Sequence, residues 1–240
     1  MLNYVTEGEG EDLVILHGWG CDITLFESFK NNLKDKYRVT LIDLPGHGKS
    51  AEPETAYDVY EYAEAVREFL IEKNITSAYF FGHSFGCRLI IILAAKYPEL
   101  VKRAVLTGAA GIKDKRSAKY YFKVYSYKAA KLFLKTFAPK KLEEWKKNKG
   151  SEDYKKLSDN MRASFSKVVN EDLTYLLKSV TQPVFLIWGE TDTATPLYMS
   201  DIMVKEMKDA AKTVYMGRGH YAFLEEAGRT LAIVRTFFKE

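Results

Sequence analysis

Residues 80–88 read FFGHSFGCR, and this stretch decides the fold. A strand-like apolar run, Ala78–Gly82, stops at a glycine, and a helical pattern, Phe85–Lys96, starts three residues later. Ser84 stands alone between two glycines in a G-x-S-x-G pattern. On so sharp a turn a serine adopts a strained backbone, and the glycines remove side chains that would collide. The pattern favours an exposed hydroxyl at the carboxyl edge of a parallel sheet; the alternative is a serine that only caps the helix.

Short strands and helices alternate on both sides of this stretch. Each predicted strand is a near-continuous apolar run, typical of strands buried on both faces of a parallel sheet. The sequence therefore predicts an α/β fold with a doubly wound, mostly parallel sheet. The predicted strands are Leu13–Gly18, Arg38–Asp43, Ala78–Gly82, Arg103–Gly108, Val184–Gly189 and Lys212–Met216, and the predicted helices are Tyr57–Glu72, Phe85–Lys96, Leu197–Lys208 and Phe223–Phe238.

The alternation breaks once, over residues 111–178, which have helical periodicity and no strand pattern until Pro183. We predict a helical cap at 111–178, inserted into an α/β core formed by residues 1–110 and 179–240. The cap has 18 basic and 8 acidic residues, a net charge of +10, whereas the rest of the chain carries −6. Its aromatic side chains either line an acyl pocket or form its own core, and its charge either attracts an acidic partner or is a solvated surface.

The composition, 47% hydrophobic and 28% charged, is that of an ordinary globular protein. The longest apolar run, Leu89–Ala95, is far shorter than the roughly 20 residues of a membrane span, and the first residues lack the pattern of a signal peptide. We therefore expect a cytoplasmic protein without a membrane span. Cys21 and Cys87 do not have the spacing of a metal site or a redox pair.

A serine hydroxyl becomes a good nucleophile only when a base accepts its proton, and that base is most often a histidine. The chain has four. His83 adjoins Ser84, and its side chain is expected to point away from the reactive side of the serine; His17 ends a strand, and His47 lies in a P-G-H-G turn. His220 directly follows the last predicted strand, where the loops of such a sheet converge. Elimination and placement predict His220 as the base, against the alternative of a structural histidine.

The base in turn needs a carboxylate that holds its tautomer. The segment VFLIWGETDTATP offers two, Glu190 and Asp192. Asp192 is the preferred candidate because Glu190 sits too close to the end of the strand.

An attacked carbonyl develops negative charge, which two preorganised N–H groups can stabilise. One should be the backbone N–H of Phe85, the residue after the serine. The other should come from the HGWG loop, where Gly18 and Gly20 let the chain turn and Trp19 offers its N–H; a simple turn is the alternative. LPGHGKS resembles the end of a phosphate-binding loop but has Asp43 where glycine is required. We expect neither a nucleotide nor a metal, and hence no cofactor.

Five motifs in this order, HGWG, DLPGHGKS, GHSFG, WGETDTATP and GHYAFLEE, resemble those of the α/β-hydrolase superfamily over nearly the whole chain outside the cap. More narrowly, the chain is similar to small bacterial serine carboxylesterases of the type that demethylate a pimeloyl ester on an acyl carrier protein. The resemblance implies a Ser84, Asp192 and His220 triad, with Trp19 and Phe85 at the oxyanion positions.

Two departures from that family pattern stand out. Cys87 follows the serine turn where many relatives have a second glycine. The first residues correspond to a point near the second strand of the family, so we expect an α/β-hydrolase sheet with fewer than eight strands.

The leading hypothesis is a carboxylic ester hydrolase that acts through an acyl-enzyme on Ser84. A carbon–carbon bond hydrolase or lyase on the same scaffold is the first alternative, and a non-catalytic ligand receptor is the second. The expected partner is a small-molecule ester, with an acidic acyl carrier protein as a further possibility and no nucleic acid.

Overall fold

A seven-stranded sheet forms the centre of the described part of the chain. The computed structural model describes residues 2–113 and 157–239. The strands are β1 Tyr4–Glu7, β2 Glu11–Leu16, β3 Tyr37–Ile42, β4 Ala78–His83, β5 Val101–Thr107, β6 Val184–Gly189 and β7 Ala210–Tyr215.

The sheet order is β1-β3-β2-β4-β5-β6-β7. β1 pairs antiparallel with β3, and all the other neighbours are parallel. The carboxyl ends of six strands therefore meet at one edge. The prediction of a doubly wound, mostly parallel α/β-hydrolase sheet with fewer than eight strands is confirmed for the described residues, and all six predicted strands are present. β1 was not predicted from the sequence.

Helices cover both faces of the sheet. They are α1 Glu27–Leu33, α2 Val59–Glu72, α3 Phe85–Lys96, α4 Asp159–Asn170, α5 Tyr198–Glu206, α6 Ala222–Glu225 and α7 Ala227–Phe237, with 3-10 turns at Ile23–Phe26, Pro98–Leu100 and Thr174–Ser179.

Three predicted helices differ from their predicted bounds. α5 is shorter, Tyr198–Glu206 instead of Leu197–Lys208, and the other two differ for local reasons. α2 begins at Val59 because Asp58 and Glu61 form a reciprocal cap. The Asp58 carboxylate accepts from the Glu61 amide, and the Glu61 carboxylate accepts from the Asp58 amide. The predicted helix Phe223–Phe238 is instead two helices, α6 and α7, because the backbone at Glu226 leaves the helical region with φ −118° and ψ 44°. α1 was not predicted.

Alternate side chains of the central strands enter separate apolar clusters on the two faces of the sheet. In β4, Phe80 packs with residues of α2, α3 and α5, whereas Phe81 packs with residues of α1, α6 and α7. Both phenylalanines are fully buried. This two-sided burial explains why the strand reads as a continuous apolar run.

Residues 114–156 of the predicted cap lie outside the described residues, including the aromatic residues of that segment. The described end of the segment is attached to the core. The Ser164 hydroxyl in α4 accepts a hydrogen bond from the Tyr57 amide at 2.9 Å, and Asn160 donates to the Glu54 carbonyl at 2.9 Å. Val168 and Leu173 are buried in the apolar cluster beneath. The division into core and cap stays a prediction.

Candidate active site

Ser84 occupies the turn between β4 and α3 with φ 49° and ψ −107°. A positive φ is costly for a residue with a side chain, about 1–3 kcal/mol. The turn is held by the Ser84 amide, which donates to the Thr107 carbonyl at 3.0 Å, and by the Ser84 carbonyl, which accepts from the amides of Cys87 and Ala110, each at 3.2 Å. Strain that is held in place by surrounding contacts is characteristic of functional sites.

The two glycines beside Ser84 are required by close packing. A Cβ on Gly82 would collide with the Ile90 side chain, and one on Gly86 would collide with the Leu16 carbonyl at the end of β2. The steric explanation drawn from the sequence is confirmed. The collision at Gly86 is with backbone and leaves no room for a side chain, whereas a Cβ at Gly82 would require the end of the Ile90 side chain to shift.

Asp192 and His220 meet in the loops after β6 and β7. His220 Nδ1 donates to Asp192 Oδ2 at 2.8 Å. Because a carboxylate only accepts hydrogen bonds, the Nδ1 of His220 carries the proton and Nε2 keeps a free lone pair. Glu190, the competing carboxylate, lies elsewhere, since its Oε2 accepts from the Gly217 amide at 2.9 Å. Of the two candidates, the structure brings Asp192 to the imidazole.

The Asp192 carboxylate is saturated with donors. Its Oδ1 accepts from the amides of Ala194 and Thr195, both at 2.9 Å, and the Thr195 hydroxyl donates to Oδ2 at 2.8 Å. Burial by itself raises the pKa of Asp192, but the hydrogen bonds from His220 and Thr195 outweigh it, so that the pKa lies below its ordinary value. Thr195 was missed in the sequence; the one local signal was Asp192 itself, since aspartate is common in turns, where its side chain accepts from the backbone two residues on.

Two contacts show that the imidazole of His220 lies near Ser84. One is at Gly108, directly after β5, and the other is with the ring of His83. A Cβ placed on Gly108, directly after β5, would lie 3.0 Å from His220 Nδ1 and 3.2 Å from Asp192 Oδ2. The ring of His83, next to Ser84, lies with its centroid 4.7 Å from that of His220. Between the described residues there is no hydrogen bond from His220 to the Ser84 hydroxyl; in the absence of substrate such bonds are often long and tighten when the substrate binds.

The two predicted oxyanion residues flank the serine. A Cβ on Gly18 would lie 3.4 Å from Ser84 Cβ, so the HGWG loop runs directly beside the serine. The Trp19 ring meets the Phe85 ring edge-on at a centroid distance of 5.2 Å, and Phe165 of α4 covers Trp19 at 5.3 Å. The HGWG loop and the first turn of α3 thus both lie next to the serine.

The other three histidines are buried and hold structural hydrogen bonds. His17 bonds the Gly18 carbonyl, His47 the Pro45 carbonyl and His83 the Thr107 carbonyl, each through Nδ1. Burial lowers the pKa of all three, to about 4 for His17 and about 3 for His83. His220 is the histidine with partial exposure. His83 was expected to point away from the site, but its ring packs against His220 and Tyr221.

Over residues 2–113 and 157–239, no group of three or more His, Cys, Asp or Glu side chains is arranged to hold a metal ion. The helices of the same residues include none with the length and apolar character of a bilayer span.

Comparison with known proteins identifies the family. The profile of the α/β-hydrolase fold family matches residues 13–125 and 124–227. The chain therefore belongs to the α/β-hydrolase family, which confirms the resemblance seen in the motifs.

The relatives include proteins named as esterases and a protein named as a hydrolase of a dienedioate. A pimeloyl-[acyl-carrier protein] methyl ester esterase of Aliivibrio fischeri (strain MJ11) is 24% identical over 260 residues, spanning 100% of this chain and 98% of its own. A 2-hydroxy-6-oxononadienedioate/2-hydroxy-6-oxononatrienedioate hydrolase of Pseudomonas sp is 26% identical over 254 residues, spanning 96% and 89%. The solved structure of an esterase from Exiguobacterium antarcticum matches with a TM-score of 0.78 at 23% identity, covering 100% of this chain and 96% of its own.

Proposed function

We propose that this chain is a serine hydrolase that cleaves carboxylic esters through an acyl-enzyme intermediate. The observation that carries the proposal is the 2.8 Å hydrogen bond from His220 Nδ1 to the buried Asp192, which leaves the imidazole Nε2 free as a base at the sheet edge where Ser84 stands. Family membership and relatives named as esterases support the same reaction.

In the first half-reaction, Ser84 Oγ attacks the ester carbonyl and His220 Nε2 accepts the hydroxyl proton. The Asp192 carboxylate stabilises the imidazolium that forms. The backbone N–H groups of Trp19 and Phe85 stabilise the negative charge on the carbonyl oxygen. When the tetrahedral intermediate collapses, the C–O bond to the alcohol breaks and the imidazolium returns the proton to the leaving alcohol.

In the second half-reaction, water replaces the alcohol. His220 accepts a proton from the water as its oxygen attacks the acyl carbon, and the same N–H groups stabilise the second oxyanion. Collapse then breaks the bond to Ser84 Oγ, which takes the proton back from the imidazolium, and the acid leaves. The cycle returns every group to its starting state and uses no cofactor.

The test compares Ser84→Ala with the wild-type protein on a small nitrophenyl ester. We expect turnover to fall by a factor on the order of 10⁶, because the three side chains act as a unit. The matched control is Ser200→Ala, which removes a buried hydroxyl in α5 that bonds the Leu197 carbonyl. A fluorophosphonate should label the wild type and the control but not Ser84→Ala. Activity retained in Ser84→Ala would refute the assignment.

A carbon–carbon bond hydrolase is the second candidate, favoured by the dienedioate hydrolase relative at 26% identity. Such a reaction uses the same nucleophile and base on a ketone. A panel of esters and vinylogous diketones separates the two, since ester hydrolysis predicts the larger kcat/KM on the esters.

The basic segment 111–178 supports an acidic acyl carrier protein as the carrier of the ester. Long-range attraction of this kind is screened by salt. We expect kcat/KM on a carrier-bound ester to fall about tenfold or more between 20 and 300 mM salt, within the range of electrostatic steering, while kcat/KM on a neutral nitrophenyl ester stays constant. An equal salt response of the two substrates would contradict the carrier hypothesis.

A further inference from the structure

The hydrogen bond from His220 Nδ1 to Asp192 fixes one edge of the imidazole but leaves the plane of the ring open. The χ2 torsion of a histidine is broad and roughly two-fold, so neighbouring atoms have to set the ring plane. For His220 this plane decides whether Nε2 faces the hydroxyl of Ser84. A packing contact with the imidazole is therefore needed besides the hydrogen bond.

Two neighbours lie against the imidazole of His220. At Gly108, a Cβ would stand 3.0 Å from His220 Nδ1 and 3.2 Å from Cε1. The ring of His83 lies with its centroid 4.7 Å from that of His220, at an interplanar angle of 49°. Tyr221 also meets His220, at 5.6 Å, but it is 43% exposed, whereas His83 is 1% exposed. Of these two rings, His83 is the one that its surroundings hold in place.

The His83 ring shares an anchor with the serine turn. Its Nδ1 lies 3.2 Å from both the carbonyl oxygen and the hydroxyl oxygen of Thr107. Because a carbonyl only accepts hydrogen bonds, the Nδ1 of His83 carries the proton. The same Thr107 carbonyl accepts from the Ser84 amide at 3.0 Å. The orientation of the His83 ring is therefore tied to the residue that also holds Ser84.

Burial and aromatic packing keep the His83 ring neutral and in place. The Phe223 ring packs against it with a centroid distance of 4.7 Å. Burial lowers the pKa of His83 to about 3, so this ring stays neutral when His220 accepts a proton. Over residues 2–113 and 157–239, Nε2 of His83 has no hydrogen-bond partner. The effect of His83 on His220 therefore comes from ring packing.

We propose that His83 is a positioning residue that holds the plane of the His220 imidazole so that Nε2 faces Ser84. A histidine suits this position because its ring packs against His220 while its Nδ1 bonds the anchor of the serine turn. The inference rests on the proposed function, since it gives His83 a task within that reaction.

The test compares two variants at position 83. His83→Phe keeps a flat ring against His220, whereas His83→Leu fills the position without a ring. Phe69→Leu is the matched control, since it replaces a buried ring of α2 that packs edge-on with Tyr4 of β1 at 5.0 Å. kcat and KM are measured on a nitrophenyl ester, and thermal unfolding checks that each variant folds.

We expect His83→Leu to lower kcat about tenfold, the size of effect that an aromatic contact carries, with KM within about threefold of the wild type. A misdirected base slows the chemical step, whereas binding of the ester does not depend on the direction of Nε2. His83→Phe should recover most of the loss, and the control should keep the kcat of the wild type. An equal fall of kcat in the two His83 variants would overturn the proposal.

A second measurement needs no reaction. NMR follows the exchange of the His220 Nδ1 proton with water, which requires the bond to Asp192 to open. Without the ring of His83 this bond should open more often, so we expect exchange to be about tenfold faster in His83→Leu than in the wild type or His83→Phe. Unchanged exchange would contradict the positioning role. If the wild type hydrolyses no ester, the proposed function fails, and the exchange rate alone decides about His83.

The wild-type protein supplies the test if His83→Leu does not fold. Nuclear Overhauser effects between the ring protons of His83 and His220 must then be observed, and their absence refutes the proposal.

Discussion

Replacing Asp192 by asparagine tests the candidate site at its most constrained point. The carboxylate is completely buried, and its Oδ1 accepts from two backbone amides. An asparagine keeps these two bonds only if its oxygen takes the Oδ1 position. Its NH₂ group then faces His220 Nδ1, which has to give up its own proton to accept the new bond. The proton moves to Nε2, and the lone pair that would accept the serine proton is lost.

The size of the effect follows from the bonds involved. If His220 of the variant keeps its proton on Nδ1, this N–H faces the NH₂ group of the new asparagine. Both groups are donors, so one buried donor is left unpaired, which costs about 1–3 kcal/mol. The imidazolium of the transition state also loses a charge-assisted bond from His220 to Asp192, about 1.5–3 kcal/mol. Together these terms correspond to a fall in kcat of about 10²–10⁴.

The assay measures kcat and KM on a nitrophenyl ester for Asp192→Asn and for Glu190→Gln. Glu190 is the neighbouring carboxylate, exposed and bonded to the Gly217 amide, so we expect its variant to stay within about threefold of the wild type, as for most surface substitutions. Thermal unfolding checks that both variants fold. A larger loss in Glu190→Gln than in Asp192→Asn would refute the assignment of the acid.

Two further predictions concern stability. Gly86→Ala should lower the free energy of unfolding by about 1–3 kcal/mol, because the new Cβ meets the Leu16 carbonyl. Gly228→Ala, at a helical position with open space, should raise it by up to about 1 kcal/mol; urea unfolding of both variants measures the difference, and an equal effect would contradict the steric explanation. The buried His17 and His83 have pKa values of about 4 and about 3, below their ordinary value. Their neutral forms therefore stabilise the fold fully above pH ~6.5, and this contribution is lost progressively as the pH falls from there through about 4 for His17 and about 3 for His83. Urea unfolding should therefore show lower stability at pH ~5 than at pH ~7.5, and a constant free energy across that interval would contradict it.

The sequence predicts those parts of the fold whose burial is uniform. Five of the six parallel strands, β2 to β6, were predictable because most of their side chains are buried, so that their apolar runs are nearly unbroken; β7 was predicted although only Tyr215 of its six residues is fully buried. β1 was missed because its four residues alternate between half-buried and exposed side chains and include no fully buried one. The break at Glu226 was missed because nothing in the helical periodicity marks a single residue that leaves the helix.

The part of the candidate site that could be predicted from the sequence consists of residues in the loops that follow strand ends. Ser84, Asp192 and His220 each stand in a loop at the carboxyl edge, where topology alone brings them to one side of the sheet. The bonds that tune these residues join parts of the chain far apart in sequence, such as the Ser84 amide and the Thr107 carbonyl, or depend on loop conformation, as with Thr195 and Asp192. Such contacts leave no periodic signal.

The loops that carry Ser84, Asp192 and His220 follow β4, β6 and β7, and β7 forms one rim of the sheet. A rim strand has a neighbour on one side only, and we expect it to detach at a lower free energy than the strands within. During gradual denaturation we therefore expect His220 to leave the candidate site first, while the turn at Ser84 is still held between β4 and α3. Enzymatic activity should then be lost at a lower denaturant concentration than the circular-dichroism signal. On refolding, the activity should return last, when β7 docks onto the sheet.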